Sequence, residues 1–266
     1  MQRLLSAKFV PEIFNLKDQP ENCSLLFLLQ QEKNAVLVDL ISNPKLLAVT
    51  FPEAPPSSWF LAGEPKRLLI FRNFLRSLTQ PTDLIIPRAF FPQIDRYWKV
   101  QFSVPILFLA AETNWRPEPS FDFRVRLLNP EEADRLEKAF AESSWLWEFF
   151  GSPEALLENG QAAAAFIDNK IACAATTLAF TDKYCELGVA TLPEFRGKGF
   201  ALECCRALSQ AQFESFGRLP CWRTNTANVG SWKTARNLGL KETPGSEEYL
   251  FISNYQHIGA YATVAP

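Results

Sequence analysis

The sequence predicts an α/β protein in two parts, with a glycine-rich turn between a strand and a helix in the second part. Three observations carry this. Short apolar runs bounded by turn residues alternate with stretches of helical periodicity along the chain. A polar, proline-containing passage, "ETNWRPEPSF" at residues 112–121, breaks the alternation and reads as a linker between residues 1–111 and 122–266. The stretch "ELGVATLPEFRGKGFALECC", residues 186–205, hands a strand over to a helix through two glycines and an arginine.

Composition narrows the classes. The chain has 266 residues, 47% of them hydrophobic, which is enough for a sizeable core in one large domain or two small ones. The formal net charge is -2, without the basic excess that a nucleic acid or an anionic membrane surface demands. No apolar run approaches the roughly 18 residues of a membrane span. The start, "MQRLLSAKFVPEIF", lacks the apolar core and cleavage site of a signal peptide. The expectation is a soluble cytoplasmic protein with no nucleic-acid or membrane partner. Cys23, Cys173, Cys185, Cys204, Cys205 and Cys221 show no CxxC pairing, and the single histidine is His257. A His-rich metal site is excluded, no metal is expected, and the cysteines read as reduced, mostly buried thiols.

In the first part, "SLLFLLQ", "KLLAVTF", "DLIIP" and "VPILFLAA" read as strands. "PKRLLIFRNFLRSL" places Leu68, Leu69, Phe71, Phe74, Leu75 and Leu78 at helical spacing. No motif here carries chemistry. In the second part "FRVRLL" alternates as a strand, and "NPEEADRLEKAF" has the Asn129 cap, Pro130 and early acidic residues that start a helix. "AAAAFI", "DNK" and "IACAATTLAF" form a hairpin, and "TDK" turns into the strand of residues 186–191. A helix from Phe200 to about Phe216 turns Leu202, Cys205, Leu208 and Phe213 to a core and stops at Gly217 and Pro220. "CWRT" is a short strand, and a helix capped near Asn228 ends at Gly239.

A helix N-terminus carries unpaired N–H groups and partial positive charge. Gly197 and Gly199 remove side chains that would block an anion there and permit turns other residues resist, while Arg196 and Lys198 add charge. Such a loop suits a diphosphate. It is neither a Walker A loop nor GxGxxG. The competing reading is a tight strand-to-helix turn with no ligand.

With this order of elements, the second half resembles the GNAT superfamily of acyl-CoA-dependent N-acyltransferases. That superfamily's Arg/Gln-x-x-Gly-x-Gly/Ala signature is met by Arg196, Gly199 and Ala201. Its second motif is met by Asn228, Ser231, Gly239 and Leu240. "FFGSPEALLENG" and "LPCWRTNTANVGSWKTARNLGL" are similar to a bacterial subgroup in which a degenerate GNAT-like half comes first. "PILFLAAET" and "TLPEFR" resemble the glycine N-acyltransferase branch. The match covers residues 145–252 specifically and residues 1–111 loosely.

The resemblance implies a mixed central sheet with splayed strands flanked by helices. It implies acetyl-CoA, or another acyl-CoA, and an amine acceptor that is a small molecule or peptide; a homodimer is left open. Backbone groups of Val189, Ala190 and Thr191 would hold the pantetheine arm, and Val189 N–H or a neighbour would face the oxyanion. Arg196, Gly197, Lys198, Gly199, Phe200 and Ala201 would cradle the pyrophosphate, and Asn228 and Ser231 would contact the cofactor or cap their helix. Glu186 is the expected catalytic base, against the alternative of an ordinary strand-end carboxylate. One departure stands out: Ala235 occupies the position where many members carry the tyrosine that protonates the leaving thiolate. Ser231, Tyr249 or a water is left to replace it. Trp222 and Trp232 read as core packing or as the wall of the acceptor cleft. A longer-chain acyltransferase and a non-catalytic acyl-CoA-binding module are the alternatives.

Overall fold

Both halves of the chain build the same motif, in which antiparallel strands lead into a strand–helix–strand crossover that is followed by a second helix and a closing strand. The structure, a computed structural model, describes residues 2–3, 10–31, 35–40, 42–50 and 57–254. His257 and the side chain of Phe71 lie outside the described part. The first half contains β1 (Gln2–Arg3), α1 (Val10–Ile13), α2 (Cys23–Gln30), β2 (Ala35–Val38), β3 (Leu46–Thr50), β4 (Ser57–Gly63), α3 (Leu68–Ser77), β5 (Thr82–Pro87), α4 (Phe91–Tyr97) and β6 (Phe102–Ala110). The second half opens with β7 (Val125–Leu127), α5 (Ala133–Phe140), a 3-10 segment (Ala141–Leu146) and α6 (Pro153–Asn159). It continues through β8 (Ala162–Ile167), β9 (Lys170–Phe180), β10 (Tyr184–Thr191), α7 (Phe200–Phe216), β11 (Leu219–Asn225) and α8 (Val229–Asn237), and ends with β12 (Lys241–Glu242) and β13 (Tyr249–Ser253).

The described strands form one mixed sheet in the order β1-β2-β3-β4-β5-β13-β6-β11-β10-β9-β8-β7, with β12 added beside β6. Only β4–β5 and β10–β11 pair in parallel, and these are the pairs joined by helical crossovers. β6 is the seam, since it pairs with β11 on one side and with β13 on the other. β13, though late in the chain, inserts between β5 and β6 of the first half. Residues 112–121 are irregular and run along α7. Trp115 packs edge-on to Phe213, and Arg206 pairs with Glu118.

Strand alternation sets the layers. On β8 and β9, Ala163, Ala165, Cys173 and Ala175 share a core with Cys204, Cys205 and Leu208 of α7. The intervening Ala162, Ala164 and Ala174 meet Leu136, Phe140 and Leu156 of α5 and α6. Leu202 and Phe213 are half-buried against the α7 core. Asn129 and Glu132 close a capping box, and Asp168 (φ 47°) and Asn169 (φ 61°) form the left-handed pair that a two-residue hairpin needs.

One expected strand is corrected. "SLLFLLQ" is α2, not a strand. Every residue from Cys23 to Leu29 is buried, and the helix packs on β3, β9 and β10. An element apolar all round shows no face, so periodicity cannot separate helix from strand there. All six cysteines are buried and unpaired. Among the described residues no helix is long and apolar enough to cross a membrane, and no cluster of His, Cys, Asp or Glu could hold a metal ion.

Candidate active site

The parallel ladder between β10 and β11 stops early. It pairs Tyr184 with Leu219 through Glu186 with Cys221, and there the two strands part. β10 itself continues along β9, with Val189 opposite Ala175, Ala190 opposite Ala174 and Thr191 opposite Cys173. The side of β10 that faces β11 therefore carries backbone groups without a strand partner from Leu187 to Thr191. A register shift between Glu186 and Leu187 marks where the parting begins.

The loop follows at the end of β10. A 3-10 turn over Pro193–Phe195 leads to Arg196, whose Nε donates to the Thr191 carbonyl at 3.2 Å. Gly197 (φ 74°) and Gly199 (φ 83°) are left-handed, which glycine adopts without steric cost. A Cβ at either position meets nothing within 4 Å, so the approach is open. Among the described residues, the N–H groups from Gly197 to Ala201 have no backbone acceptor. They lie at the N-terminus of the 17-residue α7, whose dipole favours an anion. Lys198 lies over the Phe195 ring, Phe200 is buried and anchors the turn, and Ala201 is half-buried.

α8 packs beside α7 and β11. Asn228 caps it, accepting from Ser231 N–H at 3.2 Å. Ser231 Oγ accepts from the Trp222 indole at 2.9 Å. Trp222 is a core residue, and Trp232 is half-buried beneath Arg236. Ala235 is fully buried in the core, so this position supplies no phenol to a leaving group. Tyr249 lines a cavity of about 230 Å³ with Glu21, Phe60 and Pro87 on the first half's sheet. Burial pushes its phenol up, and the charge of Glu21 adds to the effect.

Both oxygens of the Glu186 carboxylate are hydrogen-bonded. The residue is 2% exposed; Oε1 accepts from Arg223 Nε at 3.0 Å, and Oε2 accepts from Ser24 Oγ of α2. Arg223 also lies over the Phe60 ring at 5.1 Å. A second carboxylate, Glu148, sits just beyond the 3-10 segment. Burial raises its carboxyl above the usual value, and Asp83 adds to this. The charge of Arg223 and a hydrogen bond from Ser58 act in the opposite sense. Neither Glu148 nor Arg223 was expected from the sequence. The available signal was a single carboxylate inside the aromatic run "WLWEFF".

The parted strands, the open left-handed glycines and the helix N-terminus leave an extended cleft that ends where a helix dipole favours an anion. The GNAT acetyltransferase family model matches residues 16–249, and the chain belongs to that family. An uncharacterized N-acetyltransferase of Streptomyces virginiae is 36% identical over 105 residues, which is 39% of this chain and 44% of that protein. The match thus spans less than half of that relative's length. A GCN5-related N-acetyltransferase-like protein from Streptococcus suis has the same fold, with a TM-score of 0.69 at 19% identity over 93% of this chain and 98% of that one. A tandem GNAT protein from the clavulanic acid biosynthesis pathway gives a TM-score of 0.60 at 10% identity, covering 94% and 96% of the two chains.

Proposed function

We propose that this protein transfers an acyl group, acetyl by first expectation, from acyl-CoA to a primary amine of a small molecule or peptide by direct attack. The observation that carries the reading is the ladder between β10 and β11 that ends at Glu186 and Cys221, directly before the open loop of Gly197 and Gly199. When bound, acyl-CoA supplies the activated thioester. The backbone of Val189, Ala190 and Thr191 pairs with the pantetheine amides as a missing strand would. The N–H groups of Gly197 to Ala201, with Arg196 and Lys198, hold the pyrophosphate. Asn228 and Ser231 set the wall contributed by α8. An N–H of β10 near Val189 polarises the thioester carbonyl.

Glu186 serves as a positioning residue, because it is buried at 2% exposure and its carboxylate holds Arg223 and Ser24. Ala235 leaves the departing thiolate without a tyrosine. A thiol titrates near 8.5, so the thiolate is a good leaving group without a dedicated acid. The test is release of free coenzyme A from acetyl-CoA and from longer acyl-CoAs across a panel of primary amines. Amine-dependent release, strongest with acetyl-CoA, supports the reading. Binding of acyl-CoA with no release for any amine points instead to a non-catalytic acyl-CoA-binding module.

A further inference from the structure

We propose that Glu148 takes the proton from the acceptor amine, with Glu186 fixing Arg223 on the same side of the parted strands. The inference deepens the transferase reading above and rests on it.

The alternation of β10 and β11 gives the parted strands two distinct faces. Thr177, next to Cys185 Sγ at 3.8 Å, accepts from Gln212 of α7 at 3.4 Å, so Cys185 faces α7. One residue on, Glu186 faces α2 through Ser24. Gly188 shares that second face, since a Cβ there would lie 2.9 Å from Trp145 of the 3-10 segment. On β11, Trp222 reaches Ser231 of α8, while Arg223 reaches Glu186. The glycine loop's helix and α8 thus lie on one face, and the charged groups lie on the other. A thioester entering from the loop side meets an amine arriving from the charged side.

Four carboxylates come near that side, and one of them, Glu21, lines the Tyr249 cavity next to Phe60 and Pro87. Glu186 is 2% exposed and holds Arg223 and Ser24. Asp83 accepts from Ser253 at 2.6 Å and is 6% exposed. Glu148 remains, partly buried at the end of a segment pinned by Thr176 Oγ1, which donates to the Leu146 carbonyl at 2.8 Å. Arg223 of β11 and Ser58 of β4 favour the ionised form of Glu148, and Asp83 of β5 opposes it. The next residue, Phe149, packs edge-on to Phe60 of β4, with 6.2 Å between ring centroids. Ser58, Phe60 and Asp83 all belong to the first half, which thereby walls the acceptor side.

In the reaction the ammonium proton passes to the Glu148 carboxylate. The freed nitrogen lone pair forms the C–N bond as the C–S bond breaks, and the electron pair leaves on sulfur. The second amine proton ends on the thiolate, and Glu148 returns its proton to solvent. A positioned base of this kind contributes about 10²–10⁴-fold.

The test compares wild type, Glu148→Gln and Glu186→Gln. Free thiol release is followed against pH with acetyl-CoA and three probe amines: ethylamine, benzylamine and 1,5-diaminopentane. Expected for Glu148→Gln is a hundredfold or greater loss of kcat and loss of the acid-side inflection, with the acetyl-CoA-induced melting shift retained. Glu186→Gln should show a smaller loss and keep an inflection. A Glu148→Gln enzyme within threefold of wild type, with the same inflection, overturns the proposal. Carboxyl-¹³C NMR of the glutamates needs no acceptor. One resonance titrating above the usual glutamate range and missing in Glu148→Gln is expected; if the resonance that disappears titrates in the usual range, the proposal fails even where no amine turns over. A missing acetyl-CoA shift in wild type is a different failure, and it removes the transferase reading itself.

Discussion

Glu132 decides how the second half begins. Its carboxylate accepts from Arg126 at 2.6 and 2.7 Å, from Arg135 at 2.8 Å and from the Asn129 N–H at 3.1 Å. The hydrogen bonds from Arg126 are the main cause that holds its pKa down at about 2, against an ordinary 4.5. Because the folded pKa is depressed, the stabilisation is complete above about 4.5 and is lost as the pH falls toward 2. Glu132→Gln should cost about 1–2 kcal/mol at neutral pH in urea unfolding, and the difference from wild type should shrink at pH 3. An unchanged difference at pH 3 would contradict this account. Gly188 is decisive for another reason. A Cβ there lies 2.8 Å from Leu178 Cδ2 and 2.9 Å from Trp145 Cζ3. Gly188→Val should cost about 1–3 kcal/mol through overpacking, read as a lower melting temperature. It should also slow turnover, because Trp145 belongs to the segment that leads to Glu148.

At the scale of elements, the sequence was readable wherever a face or a cap was present. α5 announced itself through Asn129, Pro130 and Glu132, and α7 through Gly199 and Gly217, left-handed residues at its two ends. The hairpin of β8 and β9 was legible from its "DNK" turn, and the loop of the expected cofactor site from its two glycines. α2 was hidden, because a helix buried on every side has neither an apolar stripe nor an alternation. The proposed acceptor side was hidden for a related reason. Ser24, Ser58, Asp83, Glu148 and Arg223 are far apart in sequence, and only the merging of the two halves into one sheet brings them together. α2 is the element that spans both halves. Leu28 is fully buried in it, so Leu28→Ala should cost about 2–5 kcal/mol, measured by denaturant titration. A cost below 1 kcal/mol would mean that α2 is not part of the shared core.

At the scale of the whole molecule, β6 pairs with both β11 and β13, and β13 returns from the second half into the first. Neither half closes its sheet without the other. Calorimetry should therefore record a single unfolding transition, with van't Hoff and calorimetric enthalpies in agreement. Two separate transitions would contradict the shared sheet. The central claim is that the parted strands and the glycine loop bind acyl-CoA. The direct measurement is the melting temperature with and without acetyl-CoA, in wild type and in an Arg196→Ala/Gly199→Glu variant. Ligand that binds only the native state stabilises it by about 2.7 kcal/mol at a hundredfold excess over Kd. The account predicts a concentration-dependent upward shift in wild type and none in the variant. An equal shift in both proteins, or no shift in either, would contradict it.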